Sequence, residues 1–146
     1  MRTSVLAALL LAVAASTAHA DTIGLHVGSW HSEPGFNNVN PGAYWRGDDG
    51  WTAGAYCNSQ SRSERFPDAR RCKVSAYAGR LFDHEIAPGL HVGILAGAVA
   101  GYSLAPIIPA AIGTIQYGPA RLWLIPRVEK NSAAVVSLSF EFNLPN

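Results

Sequence analysis

Charge is what this sequence has least of. Asp, Glu, Lys and Arg make up 14% of its 146 residues, against roughly 25% in ordinary soluble domains. The formal net charge is +1, which excludes a strongly basic nucleic-acid binder. A hydrophobic share of 49% excludes intrinsic disorder, which needs low hydrophobicity and high net charge. Long apolar runs are also missing. Beyond residue 20 the longest is Val92 to Tyr102, broken by Gly93, Gly97 and Gly101, too short for the ~20 residues of a spanning helix. Cysteine is scarce: Cys57 and Cys72 are the only two. They form neither a CxxC motif nor a Cys/His metal spacing, so no metal and no cofactor is expected. What is present is frequent glycine and 10% aromatics. That composition suits a β-rich chain or one in contact with lipid, and the length argues for one domain.

Residues 1–20 read MRTSVLAALLLAVAASTAHA. Arg2 makes a positive start, Val5 to Ala15 an apolar centre, and Ala18-His19-Ala20 a small-x-small cleavage site. This predicts a secretory signal peptide and a single domain over 21–146. Export places Cys57 and Cys72 in an oxidising compartment, so a disulfide closing a polar loop is expected.

The clearest periodicity lies at the end of the chain. Ala134, Val136, Leu138, Phe140, Phe142 and Leu144 alternate with Val135, Ser137, Ser139, Glu141 and Asn143. Period-2 alternation over about ten residues marks a barrel strand with one lipid-facing side. Leu90 to Tyr102 repeats it, with Gly93, Gly97 and Gly101 on one face. Those glycines either leave room inside a narrow barrel or ease strand curvature. Turn residues separate strands expected at 22–31, 42–47, 51–59, 73–82, 90–102, 110–117, 120–128 and 133–143. Short turns at Asp48-Asp49-Gly50, Ala87-Pro88-Gly89 and Gly118-Pro119 alternate with longer connections at 32–41, 60–72, 103–109 and 129–132. That rhythm is the one outer-membrane barrels use. The chain therefore reads as all-β, an eight-stranded antiparallel outer-membrane β-barrel. With the N-terminus on the periplasmic side, strands one and three both run outward and deliver His31 and Ser59 to the same rim.

Proline cannot donate a ladder hydrogen bond. Pro106, Pro109 and Pro126 fall near the outer ends of strands five to seven, where they predict a lateral gap in the wall.

These motifs resemble the lipid A palmitoyltransferase family of Gram-negative outer membranes. That family has a proline-rich apolar stretch, a Tyr-Gly-Pro turn, a Tyr-Ile-Pro-Gly strand and a final aromatic strand. Here stand Leu104-Ala105-Pro106-Ile107-Ile108-Pro109, Tyr117-Gly118-Pro119, Leu124-Ile125-Pro126-Arg127 and Ser139-Phe140-Glu141-Phe142, with two residues inserted between Pro109 and Tyr117. Upstream, Ser29-Trp30-His31 matches the family's Thr-Trp-His motif, and Tyr56-Cys57-Asn58-Ser59 its Phe-Lys-Asp-Ser motif. The resemblance implies catalytic roles for His31 and Ser59 and puts Asn58 where the family has an aspartate. Ala76-Tyr77-Ala78 resembles the family's Gly-Tyr-Gly, which makes Ala78 or its neighbour Gly79 the floor of an acyl pocket. Three features depart from the family: no amphipathic helix precedes strand one, Asn58 replaces the acid, and the cysteine pair is additional.

The implied reaction moves a palmitoyl chain from a phospholipid to lipid A, with both lipids as partners of an outer-membrane monomer. His31 is the expected base and Ser59 the hydroxyl. Asn58 is a candidate donor to an oxyanion, and Glu33, Glu64, Asp68 and Glu129 are candidate acids on outer connections. Arg62, Arg65, Arg70, Arg71 and Lys73 cluster between the cysteines, where guanidinium groups suit lipid A phosphates or form a solvated loop. Asn37, Asn38 and Asn40 are expected to turn the chain, His26 to be a satisfied interior histidine, and Asp83-His84-Glu85 to be a solvated turn. Two other classes remain open: a non-catalytic small barrel with a structural or lipid-binding role, and a lipid A deacylase-like hydrolase.

Overall fold

The structure is a computed structural model describing residues 22–61, 63, 72–103, 105–127 and 132–145. The expected signal segment lies outside the described residues. Eight strands follow in order: β1 Thr22–His31, β2 Gly42–Arg46, β3 Trp51–Cys57, β4 Val74–Ala87, β5 Leu90–Ala100, β6 Ile107–Tyr117, β7 Ala120–Ile125 and β8 Val135–Asn143. Each pairs antiparallel with the next, and β8 pairs with β1, so the sheet closes into a barrel. Closure leaves no exposed sheet edge at the seam between the chain's ends.

The short connections 47–50, 88–89 and 118–119 share one end, and the longer ones share the other. Gly50 and Gly89 take φ of +85° and +72°, a left-handed conformation glycine adopts without a Cβ clash. One expectation is corrected here. Asp83-His84-Glu85 is part of strand β4, which runs to Ala87. The local polarity of that triplet looks like a turn, but Asp83 faces the barrel interior and holds a buried arginine.

The wall is apolar outside. Leu25, Val27, Phe82, Ile94, Ile115, Leu122, Leu124, Phe140 and Phe142 are all exposed. Trp51, Phe82, Tyr117 and Phe142 lie toward the short-turn end. The interior is layered. At the short-turn end sits a charge layer. Arg121, 0% exposed, donates through Nε to Glu141 Oε1 at 2.8 Å and through Nη2 to Asp83 Oδ2 at 2.7 Å. Its Nη1 reaches Thr114 Oγ1 at 3.1 Å. Arg46 Nη2 donates to the other Glu141 oxygen at 2.8 Å.

Above this lies an aromatic layer of Tyr44, Tyr77 and Trp123, with Leu81 and Leu95. Tyr44 meets Trp123 edge-on at 5.3 Å. Their polar ends reach down to the charge layer: Tyr44 Oη donates to Glu141 Oε1 at 2.8 Å, and Trp123 Nε1 donates to Ser139 Oγ at 2.8 Å. Glycine makes this layer fit. Across one level the register runs Gly24, Tyr44, Gly54, Tyr77. A Cβ on Gly24 would lie 2.0 Å from the Tyr44 ring, and one on Gly54 2.9 Å from that of Tyr77. Each ring therefore lies over the bare backbone of the next strand. On β5, a Cβ at Gly97 would lie 2.6 Å from Gly79 Cα, and one at Gly93 2.2 Å from Asp83 Oδ1. These two glycines serve close strand contact and the charge layer, not a ligand.

Cys57, the last residue of β3, is bonded to Cys72 across a separation of 15 residues. Closing a loop of that size in the unfolded chain contributes about 3 kcal/mol. Replacing both cysteines by serine should lower the urea midpoint by the equivalent of up to that amount, with the slope unchanged. An unchanged midpoint would show that the bridge does not hold the long-loop end.

Candidate functional site

Strict alternation along β1 would carry Gly28 and Trp30 inward and leave His31 outside. A bulge between His26 and Gly28 shifts the register against β8 by one residue. A one-residue slip exchanges the two faces of a strand. Trp30 is accordingly 60% exposed and His31 8%, and the histidine enters the barrel at the long-loop end.

There His31 is fixed on two sides. Its ring stacks on Phe36, with centroids 5.0 Å apart and planes 16° from parallel. Nδ1 donates to Asn38 Oδ1 at 2.8 Å. An amide oxygen only accepts, so Nδ1 carries the proton and Nε2 is left with its lone pair. Among the described residues no candidate acid bonds the His31 ring. Glu33 pairs with Arg127 at 3.1 Å on the exposed rim, and Glu64, Asp68 and Glu129 lie outside the described residues.

Ser59 follows β3 on a turn built from its neighbours. Asn58 is fully buried. Its Nδ2 donates to Ser75 Oγ at 3.0 Å and to the Gly101 carbonyl at 3.2 Å, while its Oδ1 accepts from the Gln60 N–H at 3.1 Å. Asn58 therefore anchors the turn and does not face His31, which corrects its assignment as a reacting group. An aspartate there would lose both donors. Ser59 and Tyr102 line the same cavity mouth, and the Tyr102 hydroxyl contacts Tyr56 Oη at 2.9 Å. Burial raises the Tyr102 pKa above that of a free phenol, so its hydroxyl is uncharged. The Asn37 N–H donates to the Ser59 carbonyl at 3.0 Å, tying the loop after β1 to the serine turn. His31 and Ser59 thus share a mouth but keep separate hydrogen bonds.

Below them is a cavity of about 440 Å³ with a mostly apolar wall. Val99, Ile108 and Ile112 line its sides, and His26, Tyr77, Leu95 and Trp123 its floor. His26 is an interior histidine satisfied by Tyr77: Nε2 and Tyr77 Oη are 2.9 Å apart. The expected floor is corrected. Tyr77 points in, so Ala78 points out. Gly79 points in but lies a level deeper, opposite Gly97, and does not line the space. The aromatic layer stops the cavity before either residue is reached.

Among the described residues the side wall is incomplete. β6 pairs with β7 over Gly113–Tyr117 only, while its stretch Ile107–Ile112 pairs with β5 alone. β7 stops at Ile125, before Pro126. Outward-facing Pro109 and Ala111 line the cavity together with inward-facing Ile108, Ala110 and Ile112. The space therefore wraps round the free edge of β6. Pro109 and Pro126 both border it, and Pro106 precedes β6 without lining it.

Arg62, Arg65, Arg70 and Arg71 lie outside the described residues. Lys73 ties two loops together, its Nζ donating to Gln60 Oε1 at 2.8 Å and to Ser103 Oγ at 2.6 Å. Sequence reasoning missed Asn38 as the partner of His31 and Tyr102 as a neighbour of Ser59 at the mouth. The asparagine-rich loop and the tyrosine ending an apolar run were the available signals, and both have commoner explanations. Among the described residues no three His, Cys, Asp or Glu side chains converge to hold a metal. No protein-family model matches the chain, and no curated protein matches it in sequence.

Proposed function

We propose that this chain is an outer-membrane acyltransferase of the lipid A palmitoyltransferase kind, moving an acyl chain from a phospholipid to lipid A. An apolar outer face over a polar interior, with short turns at one end and long loops at the other, supports insertion in an outer membrane. The observation that carries the activity is the cavity. It has His31 and Ser59 at its mouth, an apolar wall beneath them and a lateral opening between β6 and β7.

In this reading the donor's chain enters sideways past Pro109 and Pro126 and lies in the cavity, with its ester at the mouth. His31 Nε2 takes the proton from a lipid A hydroxyl as that oxygen attacks the ester carbonyl. A new ester C–O bond forms, the bond to the glycerol oxygen breaks, and the proton passes from His31 to that oxygen. The second product is a lysophospholipid. The Ser59 and Tyr102 hydroxyls donate to the oxyanion. Arg62, Arg70 and Arg71 are assigned to the lipid A phosphates, which guanidinium groups bind in bidentate fashion.

Mass spectrometry of lipid A from Gram-negative cells expressing the folded chain tests this. A gain of one C16 chain is expected. Loss of a chain would instead identify a hydrolase. Unchanged lipid A, with folded barrel in the membrane, would leave a structural or lipid-binding barrel and end the transferase reading.

A further inference from the structure

We infer that Asn38 is the positioning residue of this site, its neutral amide holding His31 in the tautomer of a base. The catalytic meaning of this assignment rests on the acyl-transfer reading, but the orientation of the imidazole does not.

The loop after β1 is built to hold that amide still. Asn37 folds back on the chain, its Oδ1 accepting from the Val39 N–H at 3.1 Å and its Nδ2 donating to the Val39 carbonyl at 3.0 Å. The Ser29 N–H donates to the Asn38 carbonyl at 2.9 Å, fastening the loop to β1 two residues before the histidine. A Cβ on Gly28 would lie 2.9 Å from that same carbonyl, so the close approach needs the glycine supplied by the bulge. Asn38 Oδ1 then meets His31 Nδ1 at 2.8 Å, and Phe36 covers the ring face. The result is an imidazole whose rotation and tautomer are both set before any substrate arrives.

Orienting a histidine through Nδ1 is the work a carboxylate does in a Ser-His-Asp triad, and an asparagine does it in some cysteine proteases. A neutral amide oxygen fixes the tautomer as a carboxylate does, but it stabilises the imidazolium less. Asn58 has no part in this, because its amide is fully engaged with Ser75, Gly101 and Gln60.

The measurement is NMR of the folded barrel in detergent micelles with ¹⁵N-labelled histidine, His31 being assigned by its loss in His31→Gln. Wild type should show the Nδ1–H tautomer, and Asn38→Leu should lose that preference. Asn38→Asp should keep it and raise the His31 pKa by about one unit, since an adjacent opposite charge favours the protonated ring. Asn58→Asp should leave the His31 signals where they were. Among the described residues, the other ionisable groups at this end are Glu33 with Arg127 on the rim, and Tyr56, Tyr77, Tyr102 and His26 lining the cavity. They are identical in wild type and in both Asn38 variants, so the differences belong to residue 38.

In lipid A acylation, Asn38→Leu should lower kcat about tenfold or more with KM little changed, and Asn38→Asp should restore it with the pH profile displaced upward. Unchanged His31 tautomer and pKa in Asn38→Leu and Asn38→Asp would overturn the assignment. Shifted NMR signals in a protein with no acylation activity would overturn the transferase reading alone.

Discussion

Arg121→Met destabilises the barrel by about 3–5 kcal/mol, the usual cost of removing one partner from a buried ion pair. The arginine is wholly buried and satisfies Glu141 and Asp83 together, with Thr114 and Gln116 completing its hydrogen bonds. Methionine matches its length but leaves the inward Asp83 carboxylate without its cation, and Glu141 with Arg46 alone. Loss of heat-modifiability on detergent gels, or a large fall in urea midpoint, is the expected readout. The combined variant Arg121→Met, Asp83→Asn, Glu141→Gln should recover much of the loss. The penalty comes from stranded charge, and no carboxylate is then stranded at these positions. A change within about 0.5 kcal/mol for Arg121→Met, the range of an ordinary surface substitution, would mean the charge layer contributes little to stability.

If the proposed acyl transfer holds, His31→Ala should lower its rate by about 10²–10⁴-fold, the range for removing a positioned general base. The histidine is not a free rim residue. Its bond to Asn38 and its stack on Phe36 together contribute about 1–2 kcal/mol, so the variant should be somewhat less stable yet still closed. Lipid A acylation followed by thin-layer chromatography reads the rate, and heat-modifiability reads the fold. Ser59→Ala should also reduce activity, because it removes the hydroxyl at the cavity mouth while leaving the carbonyl that accepts from Asn37. Full activity in a folded His31→Ala protein would rule out the histidine as base.

The sequence by itself determined the number of strands, their order, the antiparallel pairing and the end at which His31 and Ser59 emerge. Those features rest on local signals. Period-2 alternation reports a strand with two unlike faces, and Asp-Asp-Gly, Pro-Gly and Gly-Pro report where the chain reverses. Counting strands then assigns each terminus to an end of the barrel. The cysteine pair was legible too, because a chain with two cysteines offers one intramolecular pairing.

Which way each side chain points, and what it meets, was settled only by tertiary structure. The bulge at His26–Gly28 leaves only a single strand glycine as its trace in the sequence, yet it turns His31 inward and Trp30 outward. Arg121 meets Asp83 and Glu141 from 38 and 20 residues away, so a turn-like triplet proved to be strand. Asn58, matched to a catalytic aspartate by its neighbours in sequence, was claimed by Ser75 and Gly101. Asn38, matched to nothing, took the histidine. The physical reason is common to all four. Contacts across a closed sheet depend on register, and one residue of slip exchanges the interior for the exterior. Register is set by the whole set of strand pairs at once, not by any local stretch of chain.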